Sequence, residues 1–176
     1  MDAFTAGARY FGESRGVTVQ VLGWDPDDPT AALFTGADDP EQAGVIVESL
    51  AGAGVDVVFS AAGELARSGV TVAAEEGILV IGGTADSFLT GPEFAEVWLT
   101  SLIENVDAAM YEVAIGVLEG GGASGSYVGS LANGGVGLVP YRLSAPEVPV
   151  DLADAVDELA AEIAAAGGLD VFLAPV

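Results

Sequence analysis

The 176-residue chain contains no cysteine, no histidine and no lysine. Without cysteine there is no disulfide, no thiol nucleophile and no thiolate metal site. Without histidine a Ser-His-Asp arrangement is impossible, and the commonest general base and metal ligand is gone. The lysine that a phosphate-binding P-loop places after its glycines is missing too. Cations are scarce altogether: Arg9, Arg15, Arg67 and Arg142 stand against 27 acidic residues, for a formal net charge of -23. So few cations cannot displace the counterions of a phosphate backbone, which excludes nucleic acid as a partner. An anionic membrane surface repels the chain for the same reason. No apolar run reaches the roughly 18 residues that span a bilayer. The N-terminal "MDAFTAGARYFGES" lacks the basic start and apolar stretch of a secretion signal, which is compatible with an exported parent whose signal is removed.

What is present is hydrophobic residues, at 51% of the chain, enough for one globular domain with a sizeable core. "VTVQVLGW" (17–24) alternates valines and predicts a strand. "DDPEQAGVIVESLAGAG" predicts a helix, with Asp39 as its cap, Pro40 at its first position and Gly54 at its end. "VDVVFSAAG" follows as a buried strand, then a helix over "ELARSGVTVAAEEG" that Gly69 weakens, then a strand at "ILVIGG". Short apolar strands alternating with helices predict an α/β fold, a doubly wound parallel sheet with helices on its faces. After residue 88 the rhythm changes. "VWLTSLIE" reads as a strand leading into the helix "NVDAAMYEVAIGVLEG", with Val106, Ala109, Met110, Val113 and Val117 on one face. "VDLADAVDELAAEIAAAGG" is an amphipathic helix with Leu152, Val156, Leu159 and Ile163 inward, and "LDVFLAPV" (169–176) a terminal strand. The organisation is a single lobe: βα units over 1–88, then a crossover strand, helix, Gly-rich strand, and C-terminal helix and strand over 89–176.

The glycine run in "SLANGGVGLVPY" (130–141) does not fit a dinucleotide fingerprint, because no helix starts after Gly137. Glycines in a strand mark a bend or a close backbone approach instead. The acidic clusters "WDPDDPT" and "ADDPE" lack the spacing and bidentate glutamate of a calcium loop, and solvated loops and a helix cap account for them, so no metal is expected. The strand C-termini are the place where parallel α/β sheets bind ligands. They carry Ser60, Gly63 and Glu64 after one strand, and Thr84, Asp86 and Ser87 after another. Hydroxyls and carboxylates of this kind suit a polyhydroxylated ligand, since each acid accepts two hydroxyl hydrogen bonds. The other reading is that Thr84 and Asp86 satisfy loop backbone. Trp24 and Trp98 are candidates for stacking on a ring, or for the core. An acid pair such as Glu64 and Asp86 is also compatible with glycosidic-bond chemistry, although nothing in the spacing singles that out.

"DPEQAGVIVESLAGAGVDVVFSAAG", "AAEEGILVIGGTAD", "WLTSLIENVDAAMYEVAIGVLEG" and "LANGGVGLVP" resemble the basic membrane protein family, substrate-binding lipoproteins of ABC importers typified by purine nucleoside receptors. The resemblance implies one lobe of a type I periplasmic-binding-protein fold that closes on a nucleoside without catalysis and without a cofactor. It also implies an importer permease as partner and an extracellular or cell-surface location. On this basis the ligand-side residues are Ser60, Gly63, Glu64, Thr84, Asp86, Trp98 and Glu104. Thr84 stands where the family carries a ribose-gripping aspartate, Asp86 lies two residues on, and Glu104 replaces a usual basic residue. The resemblance also places a whole N-terminal lobe, and this lobe's central first strand, upstream of "DAFTAGARYFG". The strands at 17–24 and 55–60 are then expected to flank an unfilled position, where backbone groups need a partner. This opens an alternative function, a self-assembling extracellular structural module in which "LDVFLAPV" pairs with another copy in a homo-oligomer.

The net charge of -23 fits either a high-salt habitat or an ordinary acidic secreted protein. In both cases the carboxylates repel one another, and salt screens that repulsion over a Debye length of about 3 Å at 1 M. The expected outcome is a melting temperature that rises from dilute buffer to molar salt, measured by circular dichroism. A flat or falling Tm contradicts it.

Overall fold

The computed structural model describes residues 1–28, 30, 32–33, 39–61, 63–121 and 126–168, without the side chains at 64 and 65. The expected terminal strand at 169–176 therefore lies outside the described residues. Four strands form one sheet in the order β1 (Val57–Phe59), β2 (Leu79–Gly82), β3 (Trp98–Glu104), β4 (Val136–Leu138). β1, β2 and β3 run parallel, and β4 runs antiparallel to β3. Six α-helices accompany it among the described residues: α1 (Asp2–Arg15), α2 (Gln42–Gly52), α3 (Arg67–Glu76), α4 (Ser87–Thr90), α5 (Val106–Leu118) and α6 (Val150–Ala166). This is an α/β fold with a mostly parallel sheet, as the alternation of short apolar strands and helices predicts.

The core forms where α2 and α3 cover one end of the sheet. Val47, Val70 and Ala73 from the helices meet Val80, Trp98 and Phe88, all buried. Gly69, which weakens α3 as a helix, is where the two helices touch: a Cβ there would lie 3.1 Å from the Ala43 carbonyl oxygen and from Val47. The neighbouring Ser68 Oγ accepts from the Gly44 N–H at 3.1 Å and donates to the Pro40 carbonyl at 2.6 Å. Asp39 works one step earlier than expected. Its carboxylate accepts from the Glu41 N–H at 3.0 Å, turning the chain into α2, which begins at Gln42 with no side-chain cap of its own.

The expectation of a strand at 17–24 is corrected. Residues 17–22 belong to no strand, because among the described residues no neighbouring ladder accepts their hydrogen bonds. The N-terminal segment, to which periodicity assigns no element, is α1, held by stacking of Phe4 on Phe59 at 5.2 Å between ring centroids. Trp24 is half-buried on the wall of an apolar cavity, and its indole N–H donates to Asp2 at 2.8 Å. α5 forms as predicted, yet Val106, Met110, Val113 and Val117 on its apolar side are exposed. In α6, Leu152, Val156, Leu159 and Ile163 are half-buried.

The glycine run resolves into a turn and a strand. Asn133 organises the turn: its Oδ1 accepts from the Ser130 and Gly135 N–H groups and its Nδ2 donates to the Val128 carbonyl, at 2.8–3.0 Å. β4 then pairs through Gly137 opposite Ile103. A Cβ at Gly135 would collide with the Gly129 Cα and come within 2.9 Å of Asn133 Oδ1 and of Tyr127 Oη, so only glycine fits without a shift. Gly135→Ala should destabilise the protein by about 1–3 kcal/mol through this overpacking. Gly137→Ala is the control, because the nearest atom to its Cβ is Ile103 Cγ1 at 3.8 Å. Urea denaturation of both variants checks the contrast, and equal midpoints contradict it.

Candidate functional site

β1 and β2 end side by side, and the loops beyond them enclose a polar crevice of about 160 Å³. The two loops are locked together at their start: the Ser60 N–H donates to the Ile81 carbonyl at 2.9 Å, and the Ser60 carbonyl lies against Gly83. Ser60, Gly63, Thr84, Ser87, Arg67 and Trp98 line the crevice. Four residues selected from the sequence, Ser60, Gly63, Thr84 and Trp98, are thus brought to one place. A larger apolar cavity of about 300 Å³ lies at the free edge of the sheet, but its walls are almost wholly aliphatic and aromatic. The crevice is the better candidate for a polar ligand, because hydroxyls and a guanidinium line it.

Thr84 has φ of 67°, in the left-handed region that a β-branched residue avoids. Its carbonyl accepts from the Glu104 N–H at 3.2 Å, which fixes the loop against the end of β3. Backbone strain of this kind costs of order 1–3 kcal/mol and persists where the surroundings impose it. The side chain stands exposed at the crevice. Trp98 forms the closed end. Its indole N–H donates to the Gly91 carbonyl at 2.8 Å and the ring is buried, so it is a core wall and not an open stacking surface.

Asp86 does not face the crevice. Its carboxylate accepts from the Phe88 N–H at 3.1 Å, capping the short helix α4, and its other oxygen pairs with Arg142. The Arg142 guanidinium lies 4.8 Å from the centre of the Phe88 ring. Loop-backbone satisfaction, the second of the two readings of Asp86, is what this geometry displays. Glu104 is exposed at the end of β3, touching the site through its backbone. Glu64 falls in a short 3-10 turn over Gly63–Ala66, and its side chain lies outside the described ones.

The sequence reading missed Arg67 and Arg142, although their rarity is itself a signal. In a chain with four cations, each one has a place. Arg67 pairs with Glu93 and lies 5.5 Å from the Phe94 ring centre. The Glu93 carboxyl is held below its usual range, first by a hydrogen bond from its own backbone N–H, against desolvation, with Arg67 adding a hydrogen bond and charge. Arg15 pairs with Asp151, and Arg9 lies 3.9–4.0 Å from Asp25 and Asp27. Every arginine is therefore paired with a carboxylate. Among the described residues no group of carboxylates is placed to hold a metal ion.

A crevice of loops beyond the ends of parallel strands, on a sheet of this topology, defines one lobe of a periplasmic solute-binding fold. Residues 1–162 match the family described as Bmp, ABC transporter substrate-binding protein PnrA-like, and the chain belongs to that family. No curated protein matches the sequence significantly. Among solved structures, a solute-binding protein of an ABC transporter system from Aeropyrum pernix K1 is similar, with a TM-score of 0.67 and 22% identity over 90% of this chain and 50% of that one. A transcriptional activator of the comK gene from Bacillus halodurans gives 0.62 and 23% over 74% of this chain and 44% of that one. A solute-binding protein from Conexibacter woesei DSM 14684 gives 0.59 and 20% over 77% and 45%. The chain thus spans about half the length of these structures, which share its fold.

Asp86 offers a direct check. Asp86→Ala removes both the cap and the ion pair and should cost about 1–2 kcal/mol, of which the cap supplies about 1. Asp86→Asn keeps an acceptor for the Phe88 N–H and should cost less than half as much. Chemical denaturation of the two variants measures this, and equal losses contradict the capping role.

Proposed function

We propose that this chain supplies one wall of a solute-binding cleft that takes an uncharged, polyhydroxylated ligand of nucleoside type. Binding is reversible and without catalysis, and serves an ABC importer permease at the outside of the cell. The observation that carries this reading is the crevice itself. Its hydroxyls, Ser60, Thr84 and Ser87, face a space of about 160 Å³, below the roughly 300–1,000 Å³ of a complete small-molecule pocket. A space of that size holds one side of a ligand and needs a second wall, as a two-lobed cleft provides. Charge supports the neutral ligand: Arg67, the cation in the crevice wall, is already paired with Glu93, so a phosphate group would have to displace a carboxylate. An acid–base role for Asp86 finds no support, since the Phe88 N–H and Arg142 engage its carboxylate. Ser60, Gly63 and Thr84 are the ligand-side residues in this reading, with Glu104 at the rim and Trp98 closing the base. A second reading, a self-associating module, is favoured by one observation: among the described residues the backbone of 18–22, across a groove from β1, meets no partner.

The test is amide chemical-shift perturbation in molar salt with adenosine, guanosine and inosine at millimolar concentration. Shifts should cluster at Ser60, Gly83 and Thr84. Ser60→Ala and Thr84→Ala should each weaken binding by about five- to tenfold, the worth of one hydrogen bond. A folded sample that shows no saturable shifts with any nucleoside ends the receptor reading for this chain.

A further inference from the structure

Among the described residues one charged side chain lines the crevice, Arg67; the rest of the lining is hydroxyls, backbone and apolar surface. Arg67 opens α3, and no acidic residue follows in the first turn of that helix. A cation at a helix N-terminus stands against the helix dipole, so the stability of α3 does not explain its place. Glu93 answers the charge from a neighbouring 3-10 turn, Pro92–Phe94. The base of that turn is fixed. The Gly91 carbonyl accepts from the Trp98 indole N–H at 2.8 Å and from the Phe94 N–H at 3.1 Å, while Phe94 packs against the core. The Arg67 guanidinium lies 5.5 Å from the centre of the Phe94 ring, and its Nη2 donates to Glu93 Oε1. One anchored turn thus supplies both a ring and a carboxylate to the same guanidinium.

Both partners stay open to solvent, with 65% of the Arg67 side chain and 42% of the Glu93 side chain exposed. An exposed pair of this kind adds little to stability. What it changes is the charge that a ligand meets. The contact joins one nitrogen to one oxygen, whereas a guanidinium has five N–H donors in a fork that fits two oxygens of a phosphate or sulfate. With Glu93 removed, the crevice would present that fork together with the hydroxyls of Ser60, Thr84 and Thr90, a donor set suited to a tetrahedral oxyanion. With Glu93 in place, an anion at Arg67 stands beside a carboxylate. That carboxyl is held below its usual range, first by its own backbone N–H and, against desolvation, by Arg67 as well, so it is charged at neutral pH.

We propose that Glu93 is the specificity-determining residue of the crevice: it occupies the Arg67 guanidinium, and so turns away phosphorylated and other anionic ligands in favour of neutral polyols. This role rests on the crevice being the ligand side of the lobe. The probe is therefore inorganic sulfate, which has neither sugar nor base, so a failure of nucleoside binding leaves its result readable.

Sulfate replaces chloride at constant ionic strength, and the Arg67 Nε–H and the amides of Gly83 and Thr84 are followed by nuclear magnetic resonance. The parent chain should show no saturable shifts. Glu93→Gln and Glu93→Ala should each bind sulfate at least about tenfold more tightly than the parent, the lower end of what a hydrogen bond to a charged group is worth. Combining Arg67→Gln with Glu93→Gln should abolish that binding. A pair that only staples α3 to the neighbouring turn would instead shift the urea midpoint of the Glu93 variants and create no anion site. Three results overturn the proposal: no saturable shifts in either Glu93 variant, a parent that binds sulfate as tightly as they do, or a double variant that still binds it.

Discussion

Two buried hydroxyls in the middle of β3 hold the architecture together. Thr100 Oγ1 donates to the Val139 carbonyl, on the strand side that leads back from β4. Ser101 Oγ accepts from the Ser87 N–H at 3.1 Å, on the loop that leaves β2. Both side chains are buried, and a hydroxyl without a partner at such positions costs of order 1–3 kcal/mol. Neighbouring positions on one strand thus fasten the returning chain and the loop that ends in Asp86 and α4. Ser144 Oγ adds a third tie, donating to the Trp98 carbonyl at 2.8 Å. The Thr84 loop leans on the same strand through the Glu104 N–H.

The loops that line the crevice are consequently rigid where they touch the sheet and polar where they face outward. Ser60 is held by a ladder hydrogen bond, and Thr84 by its carbonyl. Both side chains line the crevice. Asp86 is the reverse case: its carboxylate is spent on the Phe88 N–H and on Arg142, and its contribution to the site is the shape of the loop.

Periodicity made β2, β3, α2, α3 and α5 legible, because each carries its own pattern of apolar residues and stop signals such as Gly54 and Gly77. The strand expected at 17–24 failed for a reason that alternation cannot express: a strand exists only if a neighbour accepts its hydrogen bonds. α1 was missed because its few apolar residues are scattered, and it is held by one ring stack, Phe4 on Phe59, and by Asp2 bound to Trp24. Ser60, Gly63 and Thr84 lie in the crevice at the ends of the apolar strands from which they were selected, whereas Trp98, a candidate for stacking or core, opens β3. The inward face of Trp98 and the pairing of Asp86 with a residue 56 positions away, Arg142, depend on distances that no local pattern records.

β4 runs against β3, and that reversal has a further consequence. The chain leaves the sheet after Glu104 and re-enters beside its point of departure, where the Asn105 N–H donates to the Gly135 carbonyl at 2.9 Å and Asn105 Nδ2 to the Gly134 carbonyl at 2.6 Å. Residues 106–134 form an excursion drawn shut at its neck by a single asparagine. The sheet's register is set on either side of that neck and is indifferent to what hangs beyond it. The crevice loops, which leave from β1 and β2, therefore rest on strands whose pairing lies wholly outside the stretch between Asn105 and Gly134.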